Sequence, residues 1–482
     1  MFPKRRCRPI SGFGDGTADH ASQTLISVQK PEKTAMNAND DLRRRMRRDA
    51  AAVFDAGLAA VSAEAAVKAH FQRHEDILAA GGRRFNLNAF DRIRVIGAGK
   101  ATAAMAAAVE EVLGDGVAGG SITVKYGHGE ALKRVETVEA GHPLPDAKGR
   151  DGARRILDIA EQAGPGDLII CLLSGGGSAL MPLPAAGLTL ADKQRTMDVL
   201  LACGAAIHEI NTIRKHTSAI KGGQLARAAA PATLVTLVLS DVVGDELDVI
   251  ASGPTVPDTS TFAQALDIVR RYEIASKLPA AVMDHLRSGA AGQMPETPKP
   301  GLPAFAAAFT TVIGSNIQAL KAAREAAVRL GYHSLVLSSM IEGETRDAAR
   351  FHMAVAAEIA KSGLPLPPPA CLISGGETTV TLTGRGVGGR NQEFALAAAL
   401  HLKGRTPTLI LSAGTDGTDG PTDAAGAFAD HTTIDRARAI GLDPARHLVD
   451  NNAYPFFKQL DDLLITGPTG TNVMDMRIVL VE

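Results

Sequence analysis

The chain repeatedly runs an aliphatic stretch into a glycine-rich turn and then into a helix-forming segment. That rhythm leaves few folds open. Arg92–Ile96 leads into Gly97-Ala-Gly-Lys100 and a small-residue helix from Ala101 to Leu113. Asp167–Leu173 leads into Ser174-Gly-Gly-Gly-Ser178, and Leu234–Leu239 into Ser240-Asp241. After a proline-rich stretch at 290–304, read as a linker, the pattern resumes. Ala370–Ile373 meets Ser374-Gly-Gly-Glu377, and Thr408–Leu411 meets a Gly-Thr loop holding Asp416 and Asp419. Buried strands alternating with helices build parallel sheets covered on both faces.

The expected fold class is therefore α/β, with two three-layer domains, largely parallel sheets and a ligand site in the cleft between them. The boundaries expected are a Rossmann-like domain over 37–300 and a second α/β domain over 301–482. Residues 41–80 read as helical. Further strands are expected at Ser121–Tyr126, Phe309–Ile313, Ser334–Leu337, Thr378–Leu382 and Met476–Val481. Three short echoes keep their order along the chain: Val95-Ile-Gly with Val312-Ile-Gly, Cys171-Leu-Leu-Ser with Cys371-Leu-Ile-Ser, and Thr236-Leu-Val-Leu with Thr408-Leu-Ile-Leu. They fit either a duplicated α/β unit or coincidence among common residues. Residues 1–36 carry Lys4, Arg5 and Arg6 and no apolar periodicity. They are expected to be a disordered extension, or a start placed too early with Met36 as the true one, with a basic transit peptide as the alternative.

Composition narrows the function. Lys and Arg total 51 against 52 Asp and Glu, which argues against a nucleic-acid binder held by bulk charge. With 4 Tyr, 14 Phe and no Trp, base-stacking platforms are not expected. Cys7, Cys171, Cys203 and Cys371 have no metal-ligand spacing and suit a reducing compartment, so a cytoplasmic location is expected. No run of about 18 uninterrupted apolar residues suggests a membrane span.

The turns at the strand ends are where open α/β sheets bind ligands. Gly97 and Gly99 would let backbone approach a ligand. Lys100 at a helix N-terminus gains nothing from the helix dipole, so it is best explained by an anion or else by solvent. Ser174, Gly175, Gly176, Gly177 and Ser178 can cradle an anion on backbone N–H groups, or simply form a tight turn. Arg214 and Lys215 lie in Asn211-Thr-Ile-Arg-Lys-His216 and either grip a carboxylate or phosphate or face solvent. Asp241, Asp416 and Asp419 follow buried strands, a placement that suits Mg2+ or turn capping. Arg390 and Asn391 end the glycine-rich loop Arg385-Gly-Val-Gly-Gly-Arg390, before a helix expected from Gln392 onward, and a guanidinium there can bind an anion bidentately. Glu377 adds a carboxylate. There is no P-loop, no HExxH and no GxSxG. The dinucleotide fingerprint has Thr102 in place of its third glycine.

Together VIGAGKA, GHPLPD, LLSGGGSAL, NTIRKHTSAIKGGQLA, LSDVVGD, ISGGETTV, GGRNQE, SAGTDGTDGPTDAAGA and GPTGTNVMD resemble the class II glycerate 2-kinase family. Members of that family have also been named hydroxypyruvate reductase. The resemblance runs from about residue 45 to the C-terminus. It implies ATP-dependent, Mg2+-requiring phosphorylation of D-glycerate at its 2-hydroxyl, in the cleft between two α/β domains. It also implies that Lys100 and Arg390 are catalytic. Asp241 is expected to hold Mg2+ or accept the hydroxyl proton, with Asp416 or Asp419 sharing the metal. A nicotinamide-dependent hydroxypyruvate reductase, with His142 or His216 as acid, is the rival enzyme. A non-catalytic binding protein is the third reading. Oligomeric state is left open.

Overall fold

The structure, a computed structural model, describes residues 32–402 and 406–482, with side chains from residue 40. It separates a short unit up to Leu42 from one body, Arg43–Glu482. The extension expected at 1–36 lies largely outside the described residues, as does Cys7. From Glu32 the chain forms helix α1, Glu32–Ala60.

The first large sheet has six strands, all parallel, in the order β6-β5-β4-β7-β8-β9. They are β4 Arg92–Ala98, β5 Val117–Lys125, β6 Val135–Ala140, β7 Asp167–Leu173, β8 Thr233–Leu239 and β9 Ala308–Gly314. Every residue of β7 is buried, as a central strand covered on both faces requires. One face packs Val95, Ile170, Leu172, Val235 and Leu237 against helices α2, Ala63–His70, and α3, Thr102–Leu113. The other packs Ile96, Cys171, Leu173 and Val238 against the helices Ala147–Glu161 and Gln224–Ala229. Arg92 and Asp167 clip the starts of β4 and β7 through two 2.8 Å hydrogen bonds.

The second sheet is mixed, in the order β10-β11-β15-β12-β13-β14. Its strands are β10 His333–Ser338, β11 Ala370–Gly376, β12 Thr408–Gly414, β13 Gly426–Asp430, β14 Leu463–Leu464 and β15 Asp475–Val481. β10 and β11 are parallel, whereas β15 runs antiparallel between β11 and β12. The C-terminal strand thus enters the centre of the sheet, and all seven of its residues are buried.

Several expectations are corrected. Residues 71–86 are not helical. They form a small antiparallel sheet of β1 Phe71–His74, β2 Ile77–Ala80 and β3 Arg83–Asn86. Thr378–Leu382 makes only an isolated bridge, Glu344 with Thr379. The division at residue 300 does not follow the sheets. β9 completes the first sheet by pairing with β8. Residues 43–60 of α1 pack instead on the second: Gly57 lies so close to Met476 that a β-carbon would stand 2.4 Å from its methyl. Arg47 meets Asp462 at 2.5 Å, and Tyr332 donates to Asp49 at 2.9 Å. The internal echo is not a duplication of sheets, because Val95 and Val312 share the first one. β7 and β8 are neighbours, but their counterparts β11 and β12 are separated by β15.

Among the described residues no single helix is long and apolar enough to cross a membrane. The bent pair 40–60 and 63–70 passes on length and composition, but Met46, Val53, Phe54, Ala66 and Val67 are buried in the protein.

Candidate active site

The turns after β4, β7 and β8 meet the turns after β11 and β12 at one small cavity of about 270 Å³. Lys100, His142, Gly176 and Asp241 line it from the first sheet; Glu377, Arg390, Asp416, Asp419 and Asn472 line it from the second. It adjoins a larger cleft of about 1100 Å³, with Gly176, Asp241, Glu377 and Arg390 in both walls.

Lys100 Nζ lies 3.0 Å from Asp416 Oδ2. Burial opposes ionisation of Asp416, but Lys100 and the Thr418 N–H prevail and hold its carboxyl below the usual range. Arg390 is gripped harder. Its Nε and Nη2 donate to both oxygens of Asp475 at 2.7 and 2.9 Å, and its Nη1 donates to Glu377 at 2.7 Å. Asp475 is fully buried and also accepts from Asn391 Nδ2 at 2.8 Å and Arg477 Nη2 at 3.2 Å. Burial and the charge of Glu377 push Asp241 up to about 6. Burial also raises Glu377, against the pull of Arg390. Burial, and then Lys100, push His142 down to about 4, so its imidazole is neutral at neutral pH.

Not every expected site residue faces this cavity. A β-carbon on Gly97 would stand 2.1 Å from Leu172 O, and one on Gly99 would stand 2.1 Å from Ser174 Oγ. These glycines therefore admit the neighbouring strand and turn. The same turn occupies the start of α3: Lys100 N donates to Gly175 O at 2.8 Å, and Ala101 N donates to Ser174 Oγ at 3.0 Å. Thr102 Oγ1 lies 3.1 Å from that hydroxyl. Gly97, Gly99 and Ser174 are thus structural, and the N–H groups of Lys100, Ala101 and Thr102 are already taken by backbone and the Ser174 hydroxyl. Gly175 is wedged against Asp241 and Asn472. Gly176, Gly177 and Ser178 do line the cleft, as does Arg214.

Lys215 is turned into Asp248 at 3.0 Å and Asp258 at 3.3 Å, away from a ligand role. Asn391 is buried and supports Asp475 rather than the cavity. Asp419 takes the backbone N–H groups of Asn391 and Gln392 at 3.1 and 2.8 Å, so both its oxygens cap the helix Arg390–His401. Burial still pushes it up to about 7. It is therefore a poor metal ligand.

No group of three or more metal-ligating side chains occurs among the described residues. Mg2+ needs only one or two protein carboxylates beside phosphates and water. Asp416 spends both oxygens on Lys100 and Thr418, so Glu377 and Asp241, two acids at one cavity, fit a cation best. Asp475 and Arg477 escaped the sequence reading, and Asn472 was read only as part of a polar turn, Gly467–Asn472. The signal was there in Asp475 and Arg477, charged residues in an otherwise aliphatic strand.

The fold is that of an α/β enzyme, and its two sheets meet at a cavity lined by charged side chains. Comparison with known proteins narrows this. A family model described as a domain of unknown function, DUF4147, matches residues 49–287, and the MOFRL family model matches 370–475. The chain is 44% identical to the glycerate 2-kinase of Pyrococcus horikoshii over 84% of its own length and 91% of the relative's. It is 43% identical to the D-glycerate 2-kinase of Thermotoga maritima, over 81% and 91%. A relative from Agrobacterium vitis, 45% identical over 81% of this chain and 87% of its own, carries a provisional hydroxypyruvate reductase name. The crystal structure of the Thermotoga maritima glycerate kinase superposes with a TM-score of 0.80 at 39% identity, covering 91% of this chain and all of that one. The chain belongs to the glycerate kinase family that joins a DUF4147 domain to a MOFRL domain.

Proposed function

We propose that the protein transfers the γ-phosphoryl group of ATP to the 2-hydroxyl of D-glycerate, giving 2-phospho-D-glycerate and ADP. The observation that carries this reading is the convergence of Lys100 and Arg390, from different sheets, on one cavity that also holds Asp241 and Glu377. Phosphoryl transfer needs little covalent chemistry from the protein beyond positioning and charge stabilisation. Lys100 and Arg390 neutralise the equatorial oxygens of the moving group. Asp241 takes the proton of the hydroxyl as its oxygen bonds to phosphorus and the bond to the ADP oxygen breaks. Glu377 would hold Mg2+, which when bound would supply positive charge to offset that of the phosphates. Asp475 and Arg477 keep the Arg390 guanidinium in one orientation, and such preorganisation spares reorganisation during the reaction.

The reductase reading has less support. His142 is a neutral imidazole, and His216 is buried against Glu296 at 3.0 Å. D-glycerate with MgATP, coupled through enolase so that only 2-phosphoglycerate gives signal, tests the proposal. Oxidation of NADH or NADPH by hydroxypyruvate without phosphorylation would overturn it.

A further inference from the structure

Among the described residues, one cluster of buried cations has no acid. Lys193 is 8% exposed and Lys221 is 1% exposed, and with Arg214 they border a second cavity of about 290 Å³. None of the three forms an ion pair among the described residues. Lys221 Nζ donates to Ser178 O at 2.7 Å and to Ser178 Oγ at 3.1 Å. Lys193 Nζ donates to Thr217 O at 3.1 Å, and Arg214 Nη1 to Asn211 Oδ1 at 3.2 Å. The other strongly buried cations differ. Lys215 has Asp248 and Asp258, and Arg477 has Asp475. Burying a charge without a partner is costly, so a cluster of this kind is built for an anion from outside.

The geometry points to Ser178, Arg214 and Lys221, backed by Lys193, as the anchor for the carboxylate of the three-carbon acid substrate. This rests on the kinase reading above and adds to it the end of the substrate that is held. Ser178 and Arg214 line both the large cleft and the second cavity, so an anion enters from the cleft. Pro143, Leu144, Pro182, Met197 and Leu200 make much of the cavity's wall apolar. Its volume falls just short of the about 300 Å³ at which pockets for larger ligands begin, which suits a small organic acid over a nucleotide. Ser178 is two residues beyond Gly176, which borders Asp241 in the small cavity, and two residues span at most about 7 Å. An acid anchored there by its carboxylate lies beside the cavity that holds Asp241.

The test is calorimetric titration of nucleotide-free protein with D-glycerate and, separately, with ATP. It uses the wild type, Lys221→Met and Arg214→Lys, each checked by thermal unfolding. The expected result is at least a tenfold loss of D-glycerate affinity in the folded variants with ATP affinity unchanged. Glyceramide, which lacks the charge, should bind wild type and Lys221→Met alike. Unchanged D-glycerate affinity in both variants, or a loss that falls on ATP, would overturn the anchor. So would a wild type that does not bind D-glycerate. A wild type that binds it through these residues yet does not phosphorylate it would sink the kinase reading and leave the anchor standing.

Discussion

On the second-sheet wall of the cleft, Arg390 lies between Asp475 and Glu377, and Arg477 backs the same aspartate from inside the sheet. Behind the first-sheet wall, in the second cavity that Ser178 and Arg214 share with the cleft, Lys193, Arg214 and Lys221 share a few polar atoms and no carboxylate. Under the proposed function both clusters present cations to small anions, but only one supplies its own counter-charge. The compensated wall holds a fixed geometry before any ligand arrives, as stabilising a transition state demands. The uncompensated wall stores an unfavourable arrangement that a ligand relieves, as ground-state binding demands. Substitutions on the two walls should therefore separate turnover from substrate affinity.

The largest effect is expected at Lys100, which bridges the walls through Asp416. Lys100→Ala should lower kcat by about 10³-fold or more, the scale of a cation on a transferring phosphoryl group. Its thermal midpoint should barely move, because the pair is part-exposed. The enolase-coupled assay beside a melting curve reads both, and near-normal turnover would remove Lys100 from the mechanism. Asp475→Asn should cost about 3–5 kcal/mol in urea unfolding, since it leaves two guanidinium groups facing a neutral amide. It should lower kcat as well, while D-glycerate affinity stays close to that of the wild type. A fall in affinity instead would erase the distinction between the walls.

Glu377→Gln should raise the Mg2+ concentration for half-maximal rate by about tenfold, the effect of removing one hard oxygen charge from a cation site. An unchanged Mg2+ dependence would place the metal elsewhere. The smallest effect is in pH. Burial pushes ligand-free Lys193 down to about 7, with Arg214 adding to the shift, and burial, followed by those two cations, holds Lys221 well below the ordinary lysine value. A bound carboxylate favours the charged ammonium, so binding takes up a proton. D-glycerate affinity should then weaken as pH rises above about 7, by up to tenfold per unit while one proton is taken up. In calorimetry the binding enthalpy should vary with the ionisation enthalpy of the buffer. A pH-independent affinity across 6.5–8.5 would mean the lysines do not titrate with the ligand.

The parallel sheet was legible because its strands are long aliphatic runs ending in glycine turns; Asp167–Leu173 is read to the residue. What escaped were pairings set by distant partners. Nothing local in Met476–Val481 says that it enters antiparallel between β11 and β12, or that residues 43–60 serve the second sheet. β1 to β3 are short and flanked by helix formers, so a periodicity argument passes over them. In the site, Lys100, Asp241 and Glu377 were named because they follow strand ends and Arg390 because it ends a glycine-rich loop at a helix start, and the structure gathers them. Gly97, Gly99 and Asp419 show the limit of such reasoning. A glycine that admits backbone and one that admits a ligand look alike in sequence, and a capping aspartate looks like a metal ligand. Lys215 and Lys221 were equally suggestive as letters. Asp258, 43 residues along the chain from Lys215, decides which of the two is already satisfied.

The path of α1 has a consequence for how such a chain can be recombined. Residues 43–60 cover the second sheet, Thr471 Oγ1 donates to Val61 O at 2.5 Å just beyond the helix, and α2 then joins the first core. A gene cut after Gly314 would yield a front fragment carrying a helix it does not use and a back fragment missing its lid. The two halves are interlaced at the level of the gene, and exchange between relatives succeeds only if the first 20 or so codons of this body travel with the last third of the chain.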